Sequence, residues 1–151
     1  MSESEPFRRR IVAEARKWIG TPYLHQASLI GVGCDCLGLV RGIWRELLGE
    51  EPEETPNYSA DWGEVSGTES MLTAANRWFR PISTSEVSQG DLLLFRWKNA
   101  AVVHHAGIAS EDDRFIHAYE KAGVVETNLG SQWRTRIAAA FKFPQTNPVE
   151  K

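Results

Sequence analysis

Gly90-Asp91-Leu92-Leu93-Leu94-Phe95-Arg96-Trp97 marks the point where the pattern of this chain changes. From Gly90 onward the apolar period is two, and residues 92–97, 101–109, 114–118, 123–127 and 137–143 read as strands separated by short polar turns. Ahead of Gly90 the period is helical. Phe7, Ile11, Ala15 and Trp18, with Val12 and Ile19 alongside, form one stripe ended by Gly20 and Pro22. Residues 20–34 form a Gly-rich loop. A second helix is predicted from about Asp35 or Cys36, with Leu37, Val40, Ile43, Trp44, Leu47 and Leu48 at helical spacing and Gly49 as its stop. Residues 50–67 are acidic and turn-rich, a solvated loop. Ser66 and Glu69 have capping-box spacing ahead of a third helix, which carries Met71, Leu72, Ala75, Trp78 and Phe79 and closes at Pro81. Residues from 146 are expected to fray. Helices followed by strands give the α+β class, with N-terminal helices packed on an antiparallel sheet of about five strands. The core is expected between the second helix and one face of that sheet.

A chain of 151 residues fits one domain spanning 1–151, with its core over about 8–143. With 42% hydrophobic and 25% charged residues the composition is globular, which excludes a disordered chain. The formal charge of -3 offers no basic field for nucleic acid. Cys34 and Cys36 stand too close for an ordinary structural disulfide. Apolar runs of only a few residues exclude membrane insertion by a spanning helix. No apolar stretch of signal-peptide length follows Arg8-Arg9-Arg10, so synthesis in the cytoplasm without a cleaved signal is expected.

Gly31-Val32-Gly33-Cys34-Asp35-Cys36-Leu37-Gly38 puts a cysteine on the first turn of the second helix. A helix N-terminus carries partial positive charge and unpaired amide donors, which favour a thiolate and can hold an oxyanion. Asp35 is expected to cap this helix and fix where the Cys36 side chain points. Free cysteines are more often small buried hydrophobes. Cys34, ahead of the cap, is read that way, and Cys36 as a nucleophile.

A cysteine nucleophile needs a base. In Val102-Val103-His104-His105-Ala106-Gly107-Ile108 the two histidines alternate across a strand, so one of them faces the second helix. Gly107 shares the His105 face and leaves room for a substrate or a neighbouring ring. This favours His105 as the inward base and leaves His104 at the rim. His117, in Phe115-Ile116-His117-Ala118, is a candidate to orient the base. Taken singly, each histidine is as readily a hydrogen-bonded core residue. Tyr23 and Asp35 are the candidates to line the substrate or oxyanion site; a loop tyrosine packed on the core, beside His25, is the alternative for Tyr23. The six tryptophans read as core and rim.

His105 and His117 can cooperate only from one face of adjacent antiparallel strands, where opposed residues keep a constant number sum. Direct opposition predicts a sum of 222 and an odd-membered turn centred on Glu111. Ser110-Glu111-Asp112-Asp113 has no Gly or Asn to favour a two-residue turn.

Ala15-Arg16-Lys17-Trp18-Ile19-Gly20-Thr21-Pro22-Tyr23 and Gly33-Cys34-Asp35-Cys36-Leu37-Gly38-Leu39-Val40 resemble two blocks of the NlpC-type family of cell-wall cysteine peptidases. Gly90-Asp91-Leu92-Leu93-Leu94-Phe95, His105-Ala106-Gly107-Ile108 and Phe115-Ile116-His117-Ala118 are similar to its remaining blocks in the same order, over roughly residues 8–143. The wording between Tyr23 and Cys36 is closest to the branch encoded with phage and gene-transfer-agent tail proteins. The resemblance implies a compact papain-like α+β domain. It places the nucleophile on Cys36, the base on His105, the third polar residue on His117 and a site-lining tyrosine on Tyr23. It also implies hydrolysis of bacterial peptidoglycan peptide stems, commonly at the γ-D-glutamyl–diamino acid bond, by acyl transfer with no metal or other cofactor. Partners would be phage-like tail or baseplate proteins, and the enzyme would act in the periplasm after delivery by the particle. Leu37 stands where the family usually has serine, and Cys34 is extra; neither departure touches the implied triad, and both are expected to change how the pocket edge receives substrate.

Two other classes stay open on the sequence. One is a zinc module drawing on Cys34, Cys36, His104, His105 and His117, whose spacings do not match the usual paired-ligand patterns. The other is a non-enzymatic tail-assembly or adaptor domain with the same fold.

Overall fold

The computed structural model describes residues 4–52, 70–97 and 103–148. In chain order the elements are α1 (Ser4–Lys17), β1 (Ser28–Leu29), β2 (Gly33–Cys34), α2 (Cys36–Leu48), α3 (Ser70–Trp78) and β3 (Arg80–Ile82). A single 3-10 turn (Thr84–Glu86) precedes β4 (Leu92–Phe95), β5 (His105–Ser110), β6 (Arg114–Tyr119), β7 (Gly123–Asn128), α4 (Ser131–Arg134) and β8 (Ile137–Lys142). The capping box expected at Ser66 and Glu69, and the first residues of the strand expected over 101–109, lie outside the described residues.

The α1 stripe is buried at Phe7, Ile11, Val12, Ala15 and Trp18, while Ile19 is exposed. Helix α2 buries Leu39, Val40, Ile43, Trp44 and Leu48 against the sheet and α1, and its end is closed by Gly49, whose amide donates to the Trp44 carbonyl. Burial of each such aliphatic or aromatic side chain contributes roughly 1.5–3 kcal/mol. Arg8 ties α1 to the turn before β4, donating to the Gln89 carbonyl at 2.7 Å and to the buried Asp91 at 2.8 Å.

All strand pairs of the main sheet are antiparallel, in the order β3-β8-β4-β5-β6-β7. That makes six strands where about five were expected. The additional one is β3, an edge strand of three residues with Pro81 at its centre. It is too short to display a period, and its proline is tolerated because an edge strand has one side unpaired. Residues 20–34 likewise contain a small hairpin of β1 and β2.

The sheet is covered on both faces, which corrects the one-sided core. Leu92, Leu94, Ala106, Ile108, Ile116 and Ala118 face the helices α1 and α2. Leu93, Phe95, Ala109, Phe115, Leu129 and Ala140 form a second, smaller core on the other face, against Trp133 of α4. The run Leu92–Phe95, buried at every position, is the sequence mark of a strand covered twice. Within the described residues, which reach 148, part of the segment expected to fray is held in place. Asn147 is buried and donates to the carbonyls of Leu48 and Glu50, which fastens this segment to the end of α2.

Candidate active site

Cys36 is the first residue of α2, and Asp35 is its cap. One carboxylate oxygen of Asp35 accepts from the Gly38 amide at 2.7 Å, the other from the Gln26 amide at 2.7 Å. His25 Nδ1 lies 3.7 Å from the same second oxygen. The strand β1 crosses close over the helix start, where the Ser28 hydroxyl donates to the Gly38 carbonyl at 2.6 Å. A Cβ at Gly38 would stand 1.9 Å from the Ala27 carbonyl oxygen, so only glycine fits there. Asp35 is 1% exposed and its side chain is engaged with backbone donors. It therefore builds the loop and helix start and does not line a substrate surface, which corrects that part of the expectation.

The Cys36 thiol is buried and hydrogen-bonded by the backbone amides of Ala106 and Leu37. It thus meets β5 at the peptide that joins His105 to Ala106. Burial, then the Asp35 carboxylate, push its pKa up to about 12, and the two amides offset only part of this. Desolvation and a neighbouring negative charge thus act against the thiolate that the helix N-terminus was expected to favour. Cys34 is enclosed in β2, its amide bonded to the Pro22 carbonyl and its own carbonyl to the Leu24 amide. Its thiol is also pushed up to about 12, mainly by burial.

His105 and His117 are brought together. His105 Nε2 and His117 Nδ1 are 2.8 Å apart, and His117 Nε2 is 3.0 Å from the Thr127 hydroxyl. The register of β5 against β6 pairs Ile108 with Ile116 and Ser110 with Arg114, around a three-residue turn, Glu111 to Asp113. The turn is odd, as expected, but the number sum is 224 rather than 222. Extending that register puts His117 opposite Gly107 and makes His105 its diagonal neighbour. A Cβ at Gly107 would lie 3.2 Å from that of His117, so the room left by this glycine is taken by the second ring.

The facing of the pair is a second correction. Ala106 and Ile108 turn toward α2, whereas His105 shares the opposite face with Phe95, its direct partner in β4. Alternation tells which residues share a face, and with both faces covered it does not tell which layer they meet. His104 is half-buried, with its ring 5.5 Å from that of Trp97.

Burial holds the His117 pKa at about 4, and that of His105 well below the usual histidine value through burial and the neighbouring His117 and His104. Both imidazoles are neutral at neutral pH. Tyr23 is half-buried beside the cysteines, and burial together with Cys36 and Asp35 raises its hydroxyl pKa.

Two residues of this cluster escaped the sequence reading. Thr127 lies on the same face as His117, one step along β7 from the directly paired position, since Phe115 opposes Thr127 and His117 opposes Val125. Same-face parity across the second hairpin, as across the first, puts Thr127 beside His117. Trp133 packs on both histidine rings, at 5.8 Å from His105 and 5.1 Å from His117. Among the described residues no group of three or more His, Cys, Asp or Glu side chains is arranged to hold a metal ion. Nor is any helix among them long and apolar enough to cross a membrane.

A helix-start cysteine packed against an antiparallel sheet that carries a histidine pair defines a papain-like α+β architecture. The chain belongs to the NlpC/P60 family, whose model matches residues 20–141. It is 26% identical over 145 residues to the gamma-DL-glutamyl hydrolase of Bacillus subtilis, a match covering 92% of this chain and 31% of that protein. It is also 26% identical over 132 residues to the murein DD-endopeptidase MepS/murein LD-carboxypeptidase of Escherichia coli, covering 87% of this chain and 60% of the relative. The chain thus spans less than two thirds of either curated relative. Among solved structures, the NlpC/p60 domain of the peptidoglycan hydrolase SagA aligns with a TM-score of 0.63 at 27% identity, covering 90% of this chain and 98% of that one.

Proposed function

We propose that this chain is a cysteine peptidase that hydrolyses the peptide stems of bacterial peptidoglycan, at the γ-D-glutamyl–diamino acid bond. The observation that carries the reading is the hydrogen bond between His105 and His117, on the strand whose Ala106 amide meets the Cys36 thiol. The names of the relatives, a glutamyl hydrolase and a murein endopeptidase, support the substrate class.

In this mechanism His105 holds its proton on Nε2, donates it to His117 Nδ1, and offers the Nδ1 lone pair as base. His117 Nε2–H then donates to the Thr127 hydroxyl, which fixes the second ring in the matching tautomer. The resting site holds a thiol and a neutral imidazole, and His105 is the first residue of β5 with its ring on the Phe95 side. Proton transfer therefore requires the ring to reach around the start of the strand to the Cys36 sulfur, where it takes the proton as the sulfur–carbon bond forms. Amides at the start of α2 and the Tyr23 hydroxyl receive the oxyanion. His105 next protonates the leaving amine, and the thioester is hydrolysed by a water that gives its proton to the same ring.

The phage-like tail setting, with delivery to the periplasm, rests on the sequence wording between Tyr23 and Cys36; recovery of the protein with purified phage-like particles tests it. The burial of the Cys36 thiol favours a second reading, an adaptor with the fold but no turnover. Digestion of purified peptidoglycan with mass-spectrometric identification of the fragments decides between them: new amino termini on the diamino acid support the peptidase, and an undigested sacculus supports the adaptor.

A further inference from the structure

The face of the sheet turned away from α2 is closed by the single turn of α4. Its Trp133 ring lies edge-on to His117 at 5.1 Å and tilted over His105 at 5.8 Å, and also packs on Phe95, Phe115 and Trp97 at 5.1–5.4 Å. Helix α4 hangs from the β5–β6 turn. The backbone carbonyl of Asp113 accepts from the Leu129 amide at 2.7 Å, and its carboxylate accepts from Arg134 at 2.6 Å. Asp113 itself is left-handed, with φ 57. The turn that sets the register of the two histidines therefore also holds the ring that covers them.

We propose that Trp133 is a positioning residue: it seals the hydrogen bond between His105 Nε2 and His117 Nδ1 from water and fixes the orientation of both rings. The inference rests on the reading of His105 as base for its kinetic consequence, and on the packing alone for its spectroscopic one. An imidazole can accept the thiol proton only while neutral, and water entering this face would stabilise the protonated form. The surrounding groups do nothing to favour that form. His104 adjoins His105 at the start of β5; Tyr119 on β6 is in ring contact with His117; the hydrogen-bond partner on β7 is the uncharged Thr127. Arg136 lies over the Trp97 ring at 5.7 Å, and Arg134 is taken by Asp113. Exclusion of water by Trp133 is therefore what keeps the pair neutral on this side.

The test is a pH titration of the histidine ring resonances by NMR in the intact protein, alongside muropeptide kinetics. In the wild type the His105 and His117 resonances should titrate well below the ordinary histidine range. In Trp133→Ala they should move toward the ordinary histidine range, and in Trp133→Phe they should stay near wild type. Kinetically, Trp133→Ala should lower kcat by roughly tenfold with little change in KM, and the acid limb of the pH profile should move to higher pH. Arg134→Ala, which removes the side-chain tie of α4 to Asp113 and leaves the backbone tie and the core whole, should shift the same two resonances the same way by a smaller amount. If Trp133→Ala does not fold, Arg134→Ala carries the test. Unchanged resonances in whichever of the two folds overturn the inference. A wild type that cleaves no muropeptide defeats the peptidase reading instead, and the titration still decides the role of Trp133.

Discussion

Gly107 faces His117 across the β5–β6 ladder, and the absent side chain at 107 is the space that the His117 ring root fills. A Cβ at 107 would also stand 2.9 Å from Phe115 Cδ2. Gly107→Ala overpacks this site and should lower stability by about 1–3 kcal/mol. Because the displaced side chain is His117, kcat should fall more than KM rises. Urea unfolding beside steady-state kinetics measures both, and a variant with wild-type kcat removes His117 placement as the role of this glycine.

Cys36→Ala should reduce muropeptide cleavage by at least about a thousandfold, as loss of a nucleophile does. Cys34→Ala should keep most of the activity and lose roughly 1 kcal/mol of stability from the small cavity in β2. Equal loss of turnover in the two variants contradicts the assignment.

Asp35→Asn keeps an acceptor for the Gly38 amide but turns an NH2 group toward the Gln26 amide. Stability should fall by about 1–2 kcal/mol. The variant also removes the negative charge that raises the Cys36 pKa. Alkylation of Cys36 at pH 8 should therefore be several-fold faster than in the wild type, although the helix is less firmly capped. An unchanged rate shows that the Asp35 charge does not reach the thiol.

His117 has a pKa of about 4 in the folded chain, below its ordinary value of 6.5. Between those values the unfolded chain binds the extra proton, so stability rises with pH across this window and is complete above it. The full effect is roughly 3 kcal/mol, lost as the pH falls from 6.5 to 4. His105 acts in the same direction. His117→Asn should flatten this part of the profile relative to wild type in urea unfolding at pH 7, 5.5 and 4.5; two parallel profiles count against it.

The helical stripes, the Asp35 cap, the placement of Cys36 at a helix start and the same-face pairing of His105 with His117 were legible in the sequence, because each depends on local spacing. The layer that His105 meets was not, since alternation is blind to which face receives which cover. Strand β3 was hidden by its length and by Pro81. The burial that raises the Cys36 pKa was not legible, because a helix start is visible in sequence whereas depth of burial is a tertiary property. The anchoring of Asn147 depends on carbonyls at Leu48 and Glu50, about a hundred residues away, which no periodicity reports.

The three-residue turn from Glu111 to Asp113, with Asp112 and Asp113 both left-handed, acts as a phase lock on chain length. If the turn keeps its three residues, an insertion or deletion of one residue there changes the parity of everything downstream in β6 and swings the 117 side chain into the layer now filled by Ile116 and Ala118. A change of two residues restores the face but moves His117 one ladder rung along, away from the gap at Gly107. Length variation among chains of this kind should therefore be found in other loops, and an alignment that opens a gap between residues 110 and 114 should be shifted before any role is transferred to the histidine beyond it.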